Sequence, residues 1–138
     1  MKRIGVLTSG GDSPGMNAAV RSAVRTGLSL GMDVYGIARG YEGLLDGEVK
    51  PMEWSSVGDI LQRGGTVLKT ARSERFRTEE GLGHAVDILD TFGIEGLVVI
   101  GGDGSLHGGL ELSERGVTVM GIPGTIDNDL AYTDFTIG

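Results

Sequence analysis

The sequence predicts an α/β fold, a three-layer sandwich built on a mostly parallel, Rossmann-like sheet. Three observations carry that expectation. Short β-branched runs bounded by glycine, such as Gly96-Leu97-Val98-Val99-Ile100, have the length and composition of strands buried on both faces. Between them lie stretches with apolar residues three and four apart, the period of a helix laid on a sheet. Polar, glycine-rich turns follow the strands, at residues 9–15, 101–105 and 123–129. In open parallel sheets ligands bind outside the carboxyl ends of the strands, so these turns are expected to line one crevice.

Residues 3–8 read as the first strand and 9–15 as the turn after it. A helix follows over 16–30, its buried stripe formed by Val20, Ala23, Val24, Gly27 and Leu28, with Gly31 as its stop. The other face carries Arg21 and Arg25. Two arginines four apart ordinarily make a solvated face, and the residues alone leave a ligand role open. A second strand is expected over 33–37, and this spacing indicates a right-handed parallel βαβ unit.

Residues 38–77 are the least regular stretch, with a short helix expected near 56–61. They hold the chain's one basic concentration, Arg63, Lys69, Arg72, Arg75 and Arg77. Charge runs are ordinarily exposed loops; the alternative is that Arg72 or a neighbour reaches phosphate. Thr78 reads as an N-cap, with Glu79 and Glu80 in the first turn where the helix dipole favours anions. Leu82, Ala85, Val86 and Leu89 form the buried stripe of that helix and Gly93 its stop. After the strand at 96–100, Ser105 is expected to cap a helix that runs to Arg115 and stops at Gly116. A last strand spans 118–122.

With 138 residues the chain is expected to form one domain with a core of its own. It holds no cysteine, which excludes disulfides and thiolate metal sites. The apolar run at 4–7 is far too short for a signal-peptide core or a membrane span, so a soluble cytoplasmic protein is expected. Twelve Lys and Arg against 19 Asp and Glu give a net charge of -7, which argues against broad binding to nucleic acid or an anionic membrane. Positive charge for a phosphorylated ligand must therefore be local. Glycine, at 26 residues, clusters at the ends of apolar runs, as turns and ligand loops require.

The centre of the sequence is Gly101-Gly102-Asp103-Gly104-Ser105, a strand-to-helix turn. Its glycines let backbone approach a ligand, and the amides and dipole at a helix start favour phosphate. Asp103 repels phosphate unless a hard cation lies between them, and Mg²⁺ is held by one or two carboxylates plus phosphate oxygens. Taken alone, the same residues are equally the composition of a tight turn. The first turn is no dinucleotide fingerprint, because Gly10-Gly11-Asp12-Ser13-Pro14-Gly15 does not fit G-x-G-x-x-G. Nor is it a Walker A loop, since Met16-Asn17 stand where Lys and Ser/Thr are required. Asp127 and Asp129 offer a carboxylate for base catalysis or metal binding, and Thr125 a hydroxyl for a phosphoryl group in transfer; the alternative is an Asx-rich turn. His84 and His107 are isolated, so zinc is not expected. Tyr41, in a glycine-flanked turn, is the one aromatic marked as a binding residue.

The stretch Ile4-Gly5-Val6-Leu7-Thr8-Ser9-Gly10-Gly11-Asp12-Ser13-Pro14-Gly15-Met16-Asn17-Ala18, together with Gly101-Gly102-Asp103-Gly104-Ser105 and Pro123-Gly124-Thr125-Ile126-Asp127-Asn128-Asp129, resembles the bacterial 6-phosphofructokinases over residues 1–138. The resemblance implies ATP and fructose 6-phosphate as substrates. It places nucleotide contacts at Gly11, Tyr41, Arg72, Ser73, Gly102, Asp103, Gly104 and Ser105, with Asp103 on Mg²⁺. Sugar-phosphate contacts fall on Thr125, Ile126 and Asp127, with Asp127 as the base for the sugar 1-hydroxyl. Arg21 and Arg25 match positions that bind an allosteric nucleotide, whereas Trp54 stands where the family has a further basic residue. Gly104 and Gly124 stand where the family's pyrophosphate users carry Asp and Lys, which implies ATP as donor. The resemblance further implies a homotetramer, and that residues 1–138 are the first segment of the ATP-binding domain, with the second domain beyond them. A pyrophosphate-dependent enzyme and a non-catalytic nucleotide-binding module are the alternatives.

Overall fold

The computed structural model describes residues 2–9, 16–54 and 73–123. Its elements are β1 (Arg3–Ser9), α1 (Met16–Ser29), β2 (Asp33–Ile37), α2 (Gly40–Asp46), β3 (Val49–Met52), α3 (Glu79–Thr91), β4 (Gly96–Gly101), α4 (Asp103–Glu114) and β5 (Thr118–Pro123), with a 3₁₀ turn at Arg75–Arg77 before α3. The sheet runs in the order β3-β2-β1-β4-β5. All neighbours are parallel except β2 and β3, which are antiparallel. The expected mostly parallel sheet is present, and its layers follow from side-chain alternation along the strands.

Ile4 and Val6 of β1 and Ile100 of β4 pack with Val20 and Val24 of α1 on one face. Leu7 of β1, Leu97 and Val99 of β4 and Val119 of β5 pack on the other with Leu44, Leu89 and Leu112 from α2, α3 and α4. Three layers result. Complete burial of a Val or Leu contributes about 1.5–3 kcal/mol before chain entropy is charged against it. The stripe of α1 fits this role at Gly27, where a Cβ would stand 2.7 Å from Val34 and 2.9 Å from Ile4. Glycine there lets the helix sit close on β1 and β2.

The helix stops lie where the sequence puts them. Gly31, Gly93 and Gly116 have φ of 81°, 69° and 96°, the left-handed conformation that ends a helix. Thr78 is the N-cap of α3, its Oγ1 accepting from the amide of Gly81 at 2.9 Å. Ser105 is not a cap. The helix begins two residues earlier, capped at Gly102, and Ser105 is buried in its first turn at 5% exposure.

The stretch over 38–77, expected to be irregular, holds regular elements among its described residues. It contains α2 and β3, the latter an antiparallel edge strand in which Pro51 lies opposite Tyr35. The short helix expected near 56–61 lies outside the described residues, as do Arg63 and Lys69.

Candidate nucleotide site

The carboxyl ends of β1, β4 and β5 are level. Ser9 is paired in register with Gly101, and Gly101 with Pro123, so three adjacent strands release their loops along one edge of the sheet. Between β1 and β4 the chain order reverses. From β1 the chain passes to α1 on one face, and from β4 to α4 on the other, which opens a crevice at this switch point. The edge is polar where it meets the core: Thr8, Ser9, Asn17 and Ser105 are all buried there.

β4 passes into α4 through a single extended residue, Gly102, with φ -88° and ψ -168°. Gly102 has no side chain to cap the first-turn amides, and an α-helix leaves its first four amides without an internal partner. Those donors and the positive end of the dipole face the crevice side of the turn, an arrangement suited to phosphate. The glycines of this loop are not equivalent. A Cβ on Gly101 would collide with the Ser9 carbonyl oxygen at 2.2 Å and with the Ser105 Oγ at 2.7 Å. At Gly102 and Gly104 nothing among the described residues lies within 4 Å of a Cβ position, and both glycines are exposed. Gly101 is thus required by the protein, whereas Gly102 and Gly104 border open space.

Tyr41 occupies a different environment from the turn expected of it. It is a residue of α2, 5% exposed, with its ring stacked on Phe76 at 4.0 Å between centroids and 12° between planes. Its hydroxyl donates to the Ser105 carbonyl oxygen at 2.5 Å, and burial pushes its pKa up. Tyr41 therefore braces the first turn of α4 from beneath. Gly108, one turn further on, makes room for both rings: a Cβ there would meet Phe76 at 3.0 Å and Tyr41 at 3.1 Å. Ser73 opens the segment that leads into Phe76. Its Oγ accepts from the Phe76 amide at 3.3 Å, and its hydroxyl hydrogen-bonds to Glu42.

The structure therefore links Ser73 through Phe76 and Tyr41 to Ser105, in the turn that holds Gly102 and Gly104, with Asp103 as the first residue of α4. Gly11, Arg72, Thr125, Ile126, Asp127 and Asp129 lie outside the described residues. Arg75, in the basic stretch, is an ion-pair partner of Glu42 and Asp46. His107 is exposed, 3.5 Å from Glu111, and the Nε2 of His84 faces the Leu45 carbonyl oxygen at 3.0 Å. Phe76 and Glu42 were not marked in the sequence. Neither has a local pattern in the sequence; Gly108 leaves the space that the Phe76 and Tyr41 rings fill, but nothing in the sequence says which aromatic lies over it.

Arg21 and Arg25 belong to α1, on the opposite face of the sheet from α4. The Nε of each is buried and has no hydrogen-bond partner among the described residues. The Arg25 guanidinium lies over the Trp54 ring, 5.3 Å from its centroid.

Comparison with known proteins places these features in a family. Residues 3–138 match the family model described as Phosphofructokinase. The chain is 67% identical over its whole length to an ATP-dependent 6-phosphofructokinase of Clostridium tetani, and 64% identical to one of Clostridium botulinum. It spans 43% of the length of each. Among solved structures, Pichia pastoris phosphofructokinase in the T-state superposes with a TM-score of 0.88 at 42% identity, over 99% of this chain and 16% of that one. Phosphofructokinase from Saccharomyces cerevisiae gives 0.86 at 45% identity, over 100% of this chain and 22% of that one. A pyrophosphate-dependent phosphofructokinase from Marinobacter aquaeolei shares the fold, with a TM-score of 0.82 at 21% identity over 96% of this chain and 36% of that one.

Proposed function

The chain belongs to the phosphofructokinase family, and from that premise we propose that it forms the ATP side of a kinase. The reaction transfers the γ-phosphoryl group of Mg·ATP to the 1-hydroxyl of D-fructose 6-phosphate, giving ADP and fructose 1,6-bisphosphate, a step of glycolysis in the cytoplasm. The observation that carries this reading is the register of Ser9, Gly101 and Pro123, which starts three glycine-rich turns from one edge. The turn after β4 supplies amide donors for the phosphates. The turn after β5 supplies Thr125, Ile126 and Asp127 to the sugar phosphate.

Each group has a defined task in direct transfer. Asp127 orients the 1-hydroxyl and accepts its proton as the new O–P bond forms, while Thr125 hydrogen-bonds the moving phosphoryl group and Asp129 supports the loop carboxylate. The loose transition state of phosphoryl transfer makes positioning more important than base strength, so an ordinary carboxylate suffices. Gly11, Arg72 and Ser73 contact the nucleotide, and Tyr41 holds the turn of Ser105 from below. Open space at Gly104 leaves a path for the nucleoside beyond the phosphates, which favours ATP over pyrophosphate as donor.

Asp103 fits a magnesium site by its chemistry, since a carboxylate at the first residue of a phosphate-binding helix needs a cation between it and the ligand. Among the described residues no group of three His, Cys, Asp or Glu is arranged to hold a metal. When bound, the ion supplies charge neutralisation of the phosphates.

The Nε atoms of Arg21 and Arg25, without a partner among the described residues, support an anionic effector on that face; the homotetramer rests on the resemblance of the sequence alone. Among the described residues no helix is long and apolar enough to cross a membrane.

The test is Asp127→Ala in a protein of the relatives' length that contains this chain. Loss of kcat by orders of magnitude, with ATP affinity nearly unchanged, is expected of a catalytic base. Unchanged activity would make the chain a non-catalytic nucleotide-binding module. Competition between ATP and pyrophosphate in the same assay tests the donor.

A further inference from the structure

The segment at Ser73 is tied to α2 by charge. Arg75 Nε donates to Glu42 Oε1 at 2.8 Å, its Nη2 donates to the same oxygen, and Nη2 also reaches Asp46 Oδ1 at 2.9 Å. Asp46 in turn accepts from Arg39 Nη2 at 2.7 Å, and Arg39 Nε donates to Glu48 at 2.7 Å. Glu42 is the most covered member, its side chain 19% exposed, and it also accepts from the Ser73 hydroxyl. One carboxylate thus holds two points of the same turn, Ser73 and Arg75. The turn also has an apolar anchor, because Phe76 between these charges is buried against Tyr41.

Tyr41 belongs to α2 as Glu42 does, and its hydroxyl is bonded to Ser105 in the first turn of α4. The ion pairs consequently tie Ser73 to the same helix that braces the first turn of α4. We propose that Arg75 and Glu42 are positioning residues for the nucleotide, forming a clamp that fixes the Ser73 turn against α2 before ATP arrives. The inference rests on the ATP-site reading above. A turn already fixed loses less freedom when ligand binds, and affinity rises by what is no longer lost. A network with a largely covered carboxylate at its centre meets the condition under which surface charges matter.

The experiment compares wild type, Arg75→Met, Glu42→Gln and Arg75→Lys in the full-length protein, by ATP titration calorimetry, steady-state kinetics and thermal unfolding. Arg75→Met and Glu42→Gln are each expected to weaken ATP binding and raise its KM roughly threefold to tenfold. Their kcat and their KM for fructose 6-phosphate are expected to stay at wild-type values, and their unfolding midpoints at neutral pH to fall only by the small stability the ion pairs contribute. Arg75→Lys is expected to recover part of the loss, the double variant to be no worse than either single one, and high salt to bring wild type towards the variants. Unchanged ATP affinity in Arg75→Met and Glu42→Gln overturns the clamp while leaving the ATP site standing. A fall in kcat that tracks a lowered unfolding midpoint also overturns it, as a purely structural tie. A wild-type protein that binds no ATP overturns the ATP reading and the clamp with it.

Discussion

A Cβ at Gly101 would stand 2.2 Å from a backbone oxygen of β1, whereas three residues later a Cβ at Gly104 meets nothing among the described residues within 4 Å. The two substitutions to alanine therefore separate folding from binding. Gly101→Ala is expected to cost about 1–3 kcal/mol of stability, because β1 or α4 must move. Gly104→Ala is expected to unfold at the wild-type temperature or slightly above it, since alanine favours a helix. Its loss appears instead in ATP affinity, where a methyl group enters the path of the nucleotide. Thermal unfolding and ATP titration on the same two samples check both statements.

Tyr41 divides in a similar way. Tyr41→Phe keeps the stack on Phe76 and loses the bond to Ser105, at a cost of about 0.5–1.5 kcal/mol. Tyr41→Ala loses both and is expected to cost about 3–5 kcal/mol, a difference read directly in denaturant unfolding.

Among the elements, those legible in the sequence are the ones whose pattern is long or sharply stopped. The helix α1 shows its stripe over four turns, and α3 has a side-chain cap at Thr78 and a glycine stop at Gly93. Thr78→Ala is expected to cost α3 about 0.5–2 kcal/mol, measured by chemical denaturation. By contrast α2 has seven residues, two of them glycine, and is entered through Arg39 in the left-handed conformation at φ 60°. It is too short to show a period, and Gly43 within it reads as a breaker. The structure explains that glycine by the close Ala38 carbonyl, 1.5 Å from where a Cβ would be. β3 was hidden by Pro51, tolerated only because the strand lies at an edge. The start of α4 was displaced because Ser105 has the chemistry of a cap, whereas the chain breaks to helix at Gly102.

The charged network on α2 carries a pH dependence with a definite sign. Hydrogen bonds from Arg75 hold both Glu42 and Asp46 below their ordinary values of 4.5 and 3.8, with Ser73 adding to the first and Arg39 to the second. Groups with lowered pKa in the folded state contribute stability that is fully present above the ordinary values. It is lost as pH falls through the lowered ones. Stability is thus expected to be indifferent to these groups above about pH 5.5 and to decline below about pH 4.5. Glu42→Gln and Asp46→Asn should each flatten that decline in acid unfolding curves.

For the molecule as a whole, the sheet is unequally covered. On one face stand α2, α3 and α4, and on the other, among the described residues, α1 alone. Beside α1 runs an apolar groove of about 510 Å³ between Ala23 and Gly27 of the helix and Val98, Met120 and Ile122 of β4 and β5. Met120 is 49% exposed and Leu30 68%. An apolar surface of this kind is expected to bind a solvatochromic dye in the 138-residue chain, and Met120→Lys to reduce the fluorescence without lowering stability. The architecture itself was legible because buried parallel strands, helical stripes and terminal glycines agree with one another. The strand ends on which the expected site is built were legible, since their register is set by the core. What the sequence did not disclose is the support beneath it, Phe76 and Glu42, which are brought to the turn by tertiary contacts with no local pattern.

The claim on which the rest depends is that the strand ends at Ser9, Gly101 and Pro123 create one Mg·ATP site opening over Gly104. A calorimetric titration of ATP, with and without Mg²⁺, into full-length wild type and Gly104→Ala tests it most directly. Mg²⁺-dependent binding by wild type, lost or strongly weakened in a Gly104→Ala protein that melts like wild type, is the expected result. Equal ATP affinity in both proteins would contradict it, and the nucleotide would then have to lie elsewhere on the sheet.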